Sequence, residues 1–388
     1  MNSILIFSTL YSPYEIGGAE RSTKLIAEEL VRRGKTVNVI CTSNSNREKT
    51  INGVKVHYLK FSHIFWRYES KSKSKFEKVL WRLFEFYNPF NDTLLKRKIR
   101  EIDPELIFTN NIAGIGTRVW KIGQKMNIPI LHTARDYYLI CSRSGMYKNN
   151  RACNSQCIEC KIYSVKKKNH SHYVNYFVGV SKFVQEIHLQ NGYFKNITKT
   201  NDIQNIFQYD FDKVLIKPSN KPIKFGILGY IRETKGVNQL LKNLNSEIEL
   251  EIIIAGKYSN DKYGKEFLDL IGKDSRVKFL GYQDPKFFFE RIDYLIHPAV
   301  WHEPFPRTLI EAFSFGIPVI SGLTGGTKEA ITNNSTGFTY NNHSELNELL
   351  KKLTTKDVNY TKMSKNCREY ATKFSSRKII DKYLDLFH

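Results

Sequence analysis

The chain has 388 residues, a hydrophobic content of 41%, and 60 basic against 38 acidic side chains, for a net charge of +22 at pH 7. The length suits two domains, each with its own core, and the composition excludes a disordered chain. No apolar run reaches the ~18–20 residues of a membrane-spanning helix, and the first residues lack the basic region of a signal peptide. The lack of a span and of a signal peptide predicts a cytoplasmic protein. The surplus charge predicts an anionic partner, a lipid surface or RNA, or else only a soluble basic surface.

The first elements of the chain alternate between strand and helix. Ile4–Ser8 and Val37–Cys41 are typical of strands, and Thr23–Arg33 between them has the apolar periodicity of a helix. This βαβ order predicts a parallel sheet. After the first strand, Gly17 and Gly18 allow a backbone to approach a ligand closely, although an ordinary tight turn explains them equally well.

Residues 61–100 interleave aromatic and basic side chains. Aromatic rings suit the headgroup level of a bilayer and lysines attract anionic lipid, so the segment predicts a membrane-docking face. Helices with buried aromatics and solvated charges, or a surface that stacks on single-stranded nucleic acid, would use the same residue types. The residues are Trp66, Arg67, Tyr68, Lys71, Lys73, Lys75, Phe76, Lys78, Trp81, Arg82, Phe84, Phe86, Tyr87, Phe90, Lys96, Arg97, Lys98 and Arg100.

Four cysteines follow the predicted strand at Ile128–Thr133. Their C-x3-C-x2-C run with one upstream cysteine supplies four soft ligands, which suits a tetrahedral structural zinc ion. Buried free thiols are the alternative, and disulfides are not expected in a reducing compartment. The residues are Cys141, Cys153, Cys157 and Cys160.

A second domain is predicted to open with the strand Ile223–Leu228. It is followed by glycines and two cations at a helix start, which is an arrangement suited to a diphosphate. These residues are Gly229, Arg232, Lys235 and Gly236. A later strand, Val277–Leu280, ends at Gly281 and Tyr282.

Two glutamates, Glu303 and Glu311, stand eight positions apart behind the strand Ile292–His297. A helix is predicted from Pro306, then the strand Ile317–Ile320 and a glycine pair at 325–326. In such α/β units ligands bind outside the carboxyl ends of the strands, where the carboxylates can accept hydrogen bonds from hydroxyls. Solvated helix charges are the alternative interpretation.

This combination resembles the donor site of the retaining nucleotide-sugar glycosyltransferases of family 4 (group 1). Their signature is a glutamate, seven residues and a second glutamate, here Glu303–PFPRTLI–Glu311, flanked by EAFSFGIPVI and GGTKE. The resemblance implies an α/β GT-B fold, with two Rossmann-like domains facing a cleft and a C-terminal helix that returns to the first domain. It places the acceptor-binding domain at residues 1–205, the nucleotide-sugar-binding domain at 206–365 and the returning helix at 366–388.

In that family an arginine and a lysine hold the donor diphosphate, and the second glutamate binds ribose. Lys235 and Gly236 match this pattern, whereas Tyr230 stands at the usual arginine position and Arg232 lies two residues later. Glu303 is implied to contact the sugar or to stabilise its positive transition state. The implied donor-binding residues are Gly17, Gly18, Gly229, Arg232, Lys235, Gly236, Gly281, Tyr282, Phe305, Thr308, Leu309 and Glu311.

The first domain departs from the family after the strand at Ile128–Thr133. The family often carries a His-Asp pair there, and this chain has Arg135 and Asp136, with His132 three residues before Arg135. Because arginine stays charged and cannot act as a base, Arg135 is expected to offset phosphate charge, while Asp136 keeps a carboxylate role toward the acceptor. With Glu303 these two are the implied catalytic residues. Asn205 is the expected counterpart of a family asparagine near the domain crossing.

The resemblance implies transfer of a hexose from a UDP- or GDP-sugar, with retention of anomeric configuration, to a lipid-linked bacterial surface glycan such as capsule or lipopolysaccharide. The protein is expected to lie on the inner face of the cytoplasmic membrane. No DxD-type site stands out, so catalysis is expected to need no metal cofactor, and no nucleic-acid partner is expected. A cytosolic glycoside synthase and a GT-B sugar epimerase are alternatives within the fold, and charge alone would also suit a nucleic-acid-binding protein.

Overall fold

The computed structural model describes residues 1–15, 17–62, 65–66, 68, 74, 77, 81, 85, 88–208, 222–355 and 359–387. The chain divides into two compact units. The first comprises Met1–Gly145, Ser155–Ile206 and Ser376–His388, and the second comprises Met146–Asn154 and Phe207–Ser375.

Among the described residues of the first unit, eight strands form one sheet in the order β10-β9-β6-β5-β1-β2-β4-β3. All neighbours are parallel except β3, which pairs antiparallel with β4. The strand order reverses beside β1, which is the place where sheets of this kind bind ligands. The strands are β1 (Ser3–Ser8), β2 (Thr36–Thr42), β3 (Arg47–Ile51), β4 (Val54–Leu59), β5 (Leu106–Thr109), β6 (Ile130–Ala134), β9 (Tyr176–Gly179) and β10 (Lys199–Asp202).

Helices cover this sheet and bury their apolar faces against it. Ile26 and Leu30 share a core cluster with Ile4 and Ile6 of the sheet, which is why the periodicity between residues 23 and 33 forms a helix. The helix begins at Gly18, however, five residues before the predicted start. The helices are α1 (Gly18–Arg32), α2 (Pro89–Ile102), α3 (Arg118–Lys125), α4 (Ile158–His170), α5 (Lys182–Gln190) and, at the end of the chain, α13 (Ser376–Leu384).

The last helix belongs to the first unit. Ile379, Ile380 and Tyr383 lie in the core cluster that contains Ile26, and Asp381 pairs with Arg33 at 2.7 Å. The return to the first unit begins at Ser376, so the predicted start at residue 366 is ten residues too early. The preceding helix belongs to the second unit because its buried face contacts that unit's core.

The described second unit contains a parallel sheet of six strands in the order β13-β12-β11-β14-β15-β16. Its strand order reverses between β11 and β14. The strands are β11 (Lys224–Leu228), β12 (Glu251–Ala255), β13 (Val277–Phe279), β14 (Tyr294–His297), β15 (Val319–Gly322) and β16 (Gly337–Tyr340). The helices are α6 (Val237–Asn243), α7 (Lys262–Ile271), α8 (Pro285–Phe289), α9 (Arg307–Ser314), α10 (Thr327–Ala330), α11 (His343–Thr355) and α12 (Tyr360–Ala371).

A small hairpin from the first half of the chain also belongs to the second unit. It consists of β7 (Tyr147–Lys148) and β8 (Arg151–Ala152), joined by two asparagines with φ of 53° and 58°. Two-residue hairpin turns favour positive φ at both positions, and asparagine tolerates that conformation better than most residues. The domain boundaries predicted from the sequence did not include this segment.

The segment predicted to dock on a membrane is described only in part. Phe61 is buried, Trp66 packs edge-on against Tyr14, and Trp81 stacks on Phe65, which matches the alternative of aromatics packed within the unit. Phe90, in contrast, is 77% exposed. The residues outside the described part are Arg67, Lys71, Lys73, Lys75, Phe76, Lys78, Arg82, Phe84, Phe86 and Tyr87.

The predicted α/β class with two Rossmann-like domains is confirmed by these two sheets. In the part of the chain that the structure describes, no helix combines the length and the apolar composition needed to cross a bilayer.

Candidate active site

Glu303 lies in the loop between β14 and α9 and is only 8% exposed. Its Oε2 accepts hydrogen bonds from Lys235 Nζ and from Trp301 Nε1, each at 2.7 Å. The nearest ring nitrogen of His297 is 3.6 Å from the same oxygen, which is too long for a hydrogen bond. The carboxylate is therefore not a solvated helix charge, which was the alternative interpretation.

The charge state of Glu303 is set by these neighbours. Burial alone would raise its pKa, but the Lys235 ammonium and the nearby His297 ring outweigh burial and hold the pKa well below its usual range. Burial in turn lowers the pKa of His297, although Glu303 opposes the change. At neutral pH the group is an ionised carboxylate beside an ammonium and a neutral imidazole.

Among the described residues, only one oxygen of the Glu303 carboxylate is engaged. Each contact of its side chain with the described residues uses Oε2, which leaves Oε1 without a described partner. Because Oε1 is not one of the fully buried polar atoms that have no hydrogen-bond partner, it can be reached from outside the protein. The arrangement fixes the carboxylate through one oxygen and leaves the other to a ligand.

Two glycines let loops close around this ion pair. Gly236, with φ of 69°, opens α6, and a Cβ there would come within 2.0 Å of the Pro298 carbonyl oxygen. Gly325, with φ of 54°, would bring a Cβ within 2.5 Å of the Glu303 carbonyl oxygen. The next residue, Gly326, donates its N–H to that carbonyl at 2.8 Å. The predicted glycine pair thus supports the loop that carries Glu303.

A pocket lies at the carboxyl ends of β11 and β14, where the strand order of the second unit reverses. Its lining includes Gly229, Tyr230, Lys235, His297 and Pro298. The structure thereby brings together the predicted Gly229 and Lys235 with the Glu303 carboxylate that Lys235 contacts. Arg232 is exposed and does not line this pocket.

Glu311 lies one turn into α9, which begins at Arg307 as the proline at 306 predicted, and its side chain is half-buried. Thr308 is half-buried as well. Phe305 and Leu309 are 4% and 0% exposed, so their side chains belong to the core of the unit and only their backbone can meet a ligand.

Gly281 and Tyr282 follow β13 on the same side of the sheet. Gly281 accepts the N–H of Gly256 at 2.7 Å and has φ of 66°. The Tyr282 ring is 69% exposed, with Lys257 Nζ 5.7 Å from its centre. An exposed ring beside a cation is suited to stacking on a planar base.

In the first unit, Arg135 follows β6, and its hydrogen bonds to the described residues all go to neutral oxygens. Nε contacts Asn110 Oδ1 at 3.0 Å, one terminal nitrogen contacts Asn205 Oδ1 at 2.7 Å, and the other contacts the Tyr383 hydroxyl at 3.4 Å. No described carboxylate pairs with it. Burial lowers the pKa of Arg135, yet a guanidinium stays charged.

Asp136 and His132 line the same pocket as Arg135. Asp136 accepts the N–H of Tyr138 at 2.8 Å. His132 is 2% exposed, its Nδ1 lies 2.9 Å from Thr109 Oγ1, and burial lowers its pKa to about 3. The imidazole is therefore neutral and held by the sheet, whereas the two residues after β6 carry the charges of this pocket.

Gly17 and Gly18 lie at the start of α1. Gly17 has an extended φ of −157° that any residue adopts, and its N–H donates to Glu20 Oε2 at 3.0 Å. Gly18 is the first helical residue. Neither position requires a left-handed conformation, so a close approach of ligand to this turn stays a prediction.

The four cysteines do not all fall in one unit. Cys141, Cys157 and Cys160 belong to the first unit and Cys153 to the second. Burial raises the pKa of the Cys160 thiol to about 11. Among the described residues no group of three or more His, Cys, Asp or Glu side chains is placed to hold a metal ion. The structural zinc ion stays a prediction without support from this geometry.

Sequence reasoning missed several side chains around Glu303. Trp301 donates a hydrogen bond to its carboxylate and His297 lies beside it. A single sequence does not indicate that a tryptophan or a histidine contacts a particular glutamate. The β7–β8 hairpin was missed too. Tyr147 donates to Glu233 Oε1 at 3.4 Å, and Asn154 Oδ1 lies 3.2 Å from the His302 ring, so the hairpin contacts both loops that form the ion pair.

Two solved structures share the fold over the whole chain. Anabaena HepE, in complex with UDP and glucose, has a TM-score of 0.68 and 16% identity and covers 100% of this chain and 99% of its own. Sucrose-phosphate synthase of Thermosynechococcus elongatus has a TM-score of 0.75 and 17% identity, over 100% and 98%. Together with the two sheets described above, these likenesses confirm the predicted GT-B fold.

Sequence comparison identifies the family. The model for glycosyltransferase family 4 matches residues 16–194 and the model for glycosyl transferases group 1 matches residues 210–374. A Klebsiella pneumoniae protein described as an uncharacterized 42.6 kDa protein in the cps region is 33% identical over 331 residues, which cover 85% of this chain and 87% of that protein. The chain therefore belongs to the group 1 glycosyltransferases and is a glycosyltransferase enzyme.

Proposed function

We propose that the chain transfers a hexosyl group from a nucleotide-sugar to a growing bacterial surface glycan, with retention of the anomeric configuration. The observation that carries the proposal is the buried Glu303–Lys235 ion pair beside a pocket at the strand-order reversal of the second unit. The description of the Klebsiella relative as a cps-region protein supports a capsule glycan as product. The UDP and glucose bound to HepE support a UDP-hexose donor.

The ion pair supplies two parts of the chemistry. Lys235 faces the diphosphate and stabilises the negative charge that develops as it leaves. Glu303 stays ionised and presents Oε1 to the sugar, where a negative charge favours the positive character of the transition state. Glu311 binds the ribose hydroxyls, and the exposed ring of Tyr282 stacks on the base.

Transfer proceeds on one face of the sugar. The bond from the anomeric carbon to the diphosphate oxygen breaks, the acceptor oxygen bonds to the same face, and the acceptor proton passes to the departing phosphate. A two-step route with Glu303 as nucleophile is the alternative. The direct route is favoured because a nucleophilic Glu303 would have to give up its bonds to Lys235 and Trp301.

Arg135 and Asp136 serve the first unit's side of the reaction. The guanidinium has no described acidic partner, so it offsets phosphate charge of the substrates, and Asp136 accepts a hydrogen bond from the acceptor. The acceptor is lipid-linked, and the net charge of +22 holds the protein on the anionic inner face of the cytoplasmic membrane. No metal cofactor takes part in catalysis.

A thermal-shift panel of UDP-, GDP- and ADP-hexoses tests the donor site. A ligand at a hundredfold excess over its dissociation constant stabilises a protein by about 3 kcal/mol. One donor class is expected to produce this shift, and Glu311→Gln is expected to erase it. Glu348→Gln, at an exposed position of α11, is the matched control and should keep the full shift.

Product analysis tests the reaction itself. The anomeric configuration of the transferred hexose, read from proton coupling in the product, is expected to match the donor. Glu303→Gln should bind the donor and lose transfer, because it keeps the side chain's shape without its charge. An inverted product would contradict retention, and an unchanged donor shift in Glu311→Gln would contradict the ribose assignment.

A further inference from the structure

The first unit contains a second pocket, lined by none of the residues assigned to transfer. It has a volume of about 190 Å³, whereas a water molecule needs only about 10–15 Å³ by this measure. A group with several non-hydrogen atoms therefore fits. The lining residues are Asp92 and Lys96 of α2, Arg118, Lys121, Ile122 and Lys125 of α3, and His170 at the end of α4.

The cations of this pocket come from two helices that contact each other. Residues three or four positions apart lie on one face of a helix, so Arg118, Lys121 and Lys125 form a single row along α3. Lys96 adds a fourth positive charge from α2. Like charges at these spacings repel one another, so the row opposes the stability of the helix unless a negative group lies against it.

Only one of the four cations is paired within the described residues. The Arg118 guanidinium binds both oxygens of Asp92, with Nε 2.7 Å from Oδ1. Lys96, Lys121 and Lys125 have no salt bridge to a described acidic side chain. Lys98 on the same helix as Lys96 differs, because it contacts both Glu48 and Glu101. The pocket thus keeps an excess of three positive charges.

His170 independently reports the electrostatic field in the pocket. Its Nδ1 lies 2.8 Å from Thr117 Oγ1, and the ring is half-buried. Burial, together with the positive charges of Lys121, Arg118 and Lys166, lowers its pKa to about 4, and Asp92 opposes the change. A neutral imidazole offers a ring nitrogen to a ligand without adding charge, and an anion in the pocket would raise its pKa.

We propose that the pocket between α2 and α3 binds a phosphate group through Lys96, Lys121 and Lys125, with the Arg118 fork fixed beside them by Asp92. Phosphate fits because it carries more than one negative charge and several acceptor oxygens, which can meet ammonium groups from both helices. The group comes either from the headgroup of an anionic lipid or from a soluble phosphorylated compound, and the chemistry of recognition is the same for both.

Two binding experiments on the full chain separate these sources. The first follows the imidazole signals of His170 by NMR while inorganic phosphate is added at constant ionic strength, with His170→Gln for assignment. The second measures flotation with phosphatidylcholine vesicles, with and without phosphatidylglycerol. Lys96→Gln/Lys121→Gln/Lys125→Gln is expected to abolish the phosphate response or to weaken vesicle binding about a hundredfold.

The matched control is Lys161→Gln/Lys195→Gln/Lys199→Gln, which removes the same charge from exposed positions of the first unit outside the pocket. It should retain both responses within a few-fold. A phosphate response without vesicle binding identifies a soluble ligand, and vesicle binding without it identifies a headgroup. Equal losses in both triple variants, or no response of the wild type in either experiment, overturn the proposal. The proposal would also be overturned if single-stranded RNA bound to the pocket more tightly than phosphate or vesicles do and displaced both.

Discussion

The two units place charge differently at the carboxyl ends of their strands. In the second unit, Glu303 and Lys235 lie 2.7 Å apart, so each buried or half-buried charge has its counter-ion. In the first unit, the described partners of Arg135 are the amide and hydroxyl oxygens of Asn110, Asn205 and Tyr383. The Glu303–Lys235 pair is neutral overall before a ligand binds, whereas the Arg135 guanidinium has no described negative group to balance its charge.

The same difference extends to the buried histidines. His297 of the second unit faces the Glu303 carboxylate. His132 and His188 of the first unit are 2% and 0% exposed, and no carboxylate opposes the burial that lowers the pKa of each. At the strand ends, therefore, the second unit holds Glu303 and Lys235 as a pair, whereas Arg135, His132 and His188 of the first unit have no described acidic partner.

The largest expected effect comes from breaking the pair. Lys235→Met leaves the Glu303 carboxylate buried without its ammonium, which should destabilise the second unit by about 3 kcal/mol. Because Lys235 is the strongest influence that lowers the Glu303 pKa, the variant should also lose more stability as the pH rises above 5. Urea unfolding at a series of pH values, monitored by circular dichroism, measures both effects.

Lys242→Met is the control for that change. It breaks a pair with Glu266 in the same unit whose side chains are 49% and 39% exposed. Exposed pairs contribute at most about 1 kcal/mol. A loss as small for Lys235→Met as for Lys242→Met would show that burial does not distinguish the two pairs.

An intermediate effect on the free energy of unfolding is expected from His188, a buried imidazole without a described acidic partner. His188 has a folded pKa of about 4, below the ~6.5 of an unfolded histidine, so the unfolded chain binds more protons between these values and stability falls as pH falls. From pH 7 to pH 5 the loss is about 2 kcal/mol for this group. His188→Leu should therefore lose about 2 kcal/mol less than the wild type over that range.

The range above pH 7 supplies the control, since His188 is neutral there in both the folded and the unfolded chain. The free-energy difference between variant and wild type should stay constant from pH 7 to pH 8. Guanidinium unfolding at fixed pH values gives these differences. Parallel stability curves for the two proteins down to pH 5 would show that His188 is not the acid-sensitive group.

The local order of the candidate active site could be predicted from the sequence because it depends on neighbouring residues. Apolar runs and the proline at 306 located β14, α9 and β15 to within two residues of their observed starts. The loop with Glu303 followed from that order. Its ion pair with Lys235 joins residues 68 positions apart, and the resemblance to the family suggested only that both face the donor.

Features that depend on tertiary contacts were not predictable. Nothing in the apolar periodicity indicated that Tyr147 and Asn154 contact loops of the second unit. The start of α1 was placed too late because Gly18 is a poor helix former, and Glu20 caps the turn at Gly17 instead. Asn205 was expected from the family near the domain crossing, but its bond to Arg135 could only be seen in the fold.

The smallest effect on stability is expected where the charge has no partner to lose. Arg135→Met removes a charge without a described counter-ion, which relieves its desolvation cost, but it also takes a donor from the buried Asn110 and Asn205 amide oxygens. Because the two effects oppose each other, stability should change by less than about 1 kcal/mol in either direction. Under the role proposed for Arg135, transfer should nevertheless fall about a hundredfold, since the substrate phosphate would lose its cation. Arg135→Lys should restore only part of that loss, because a point charge cannot reproduce the planar fork. Urea unfolding and initial rates on one preparation measure both, and a destabilisation as large as that of Lys235→Met would mean that Arg135 already has its counter-ion within the protein.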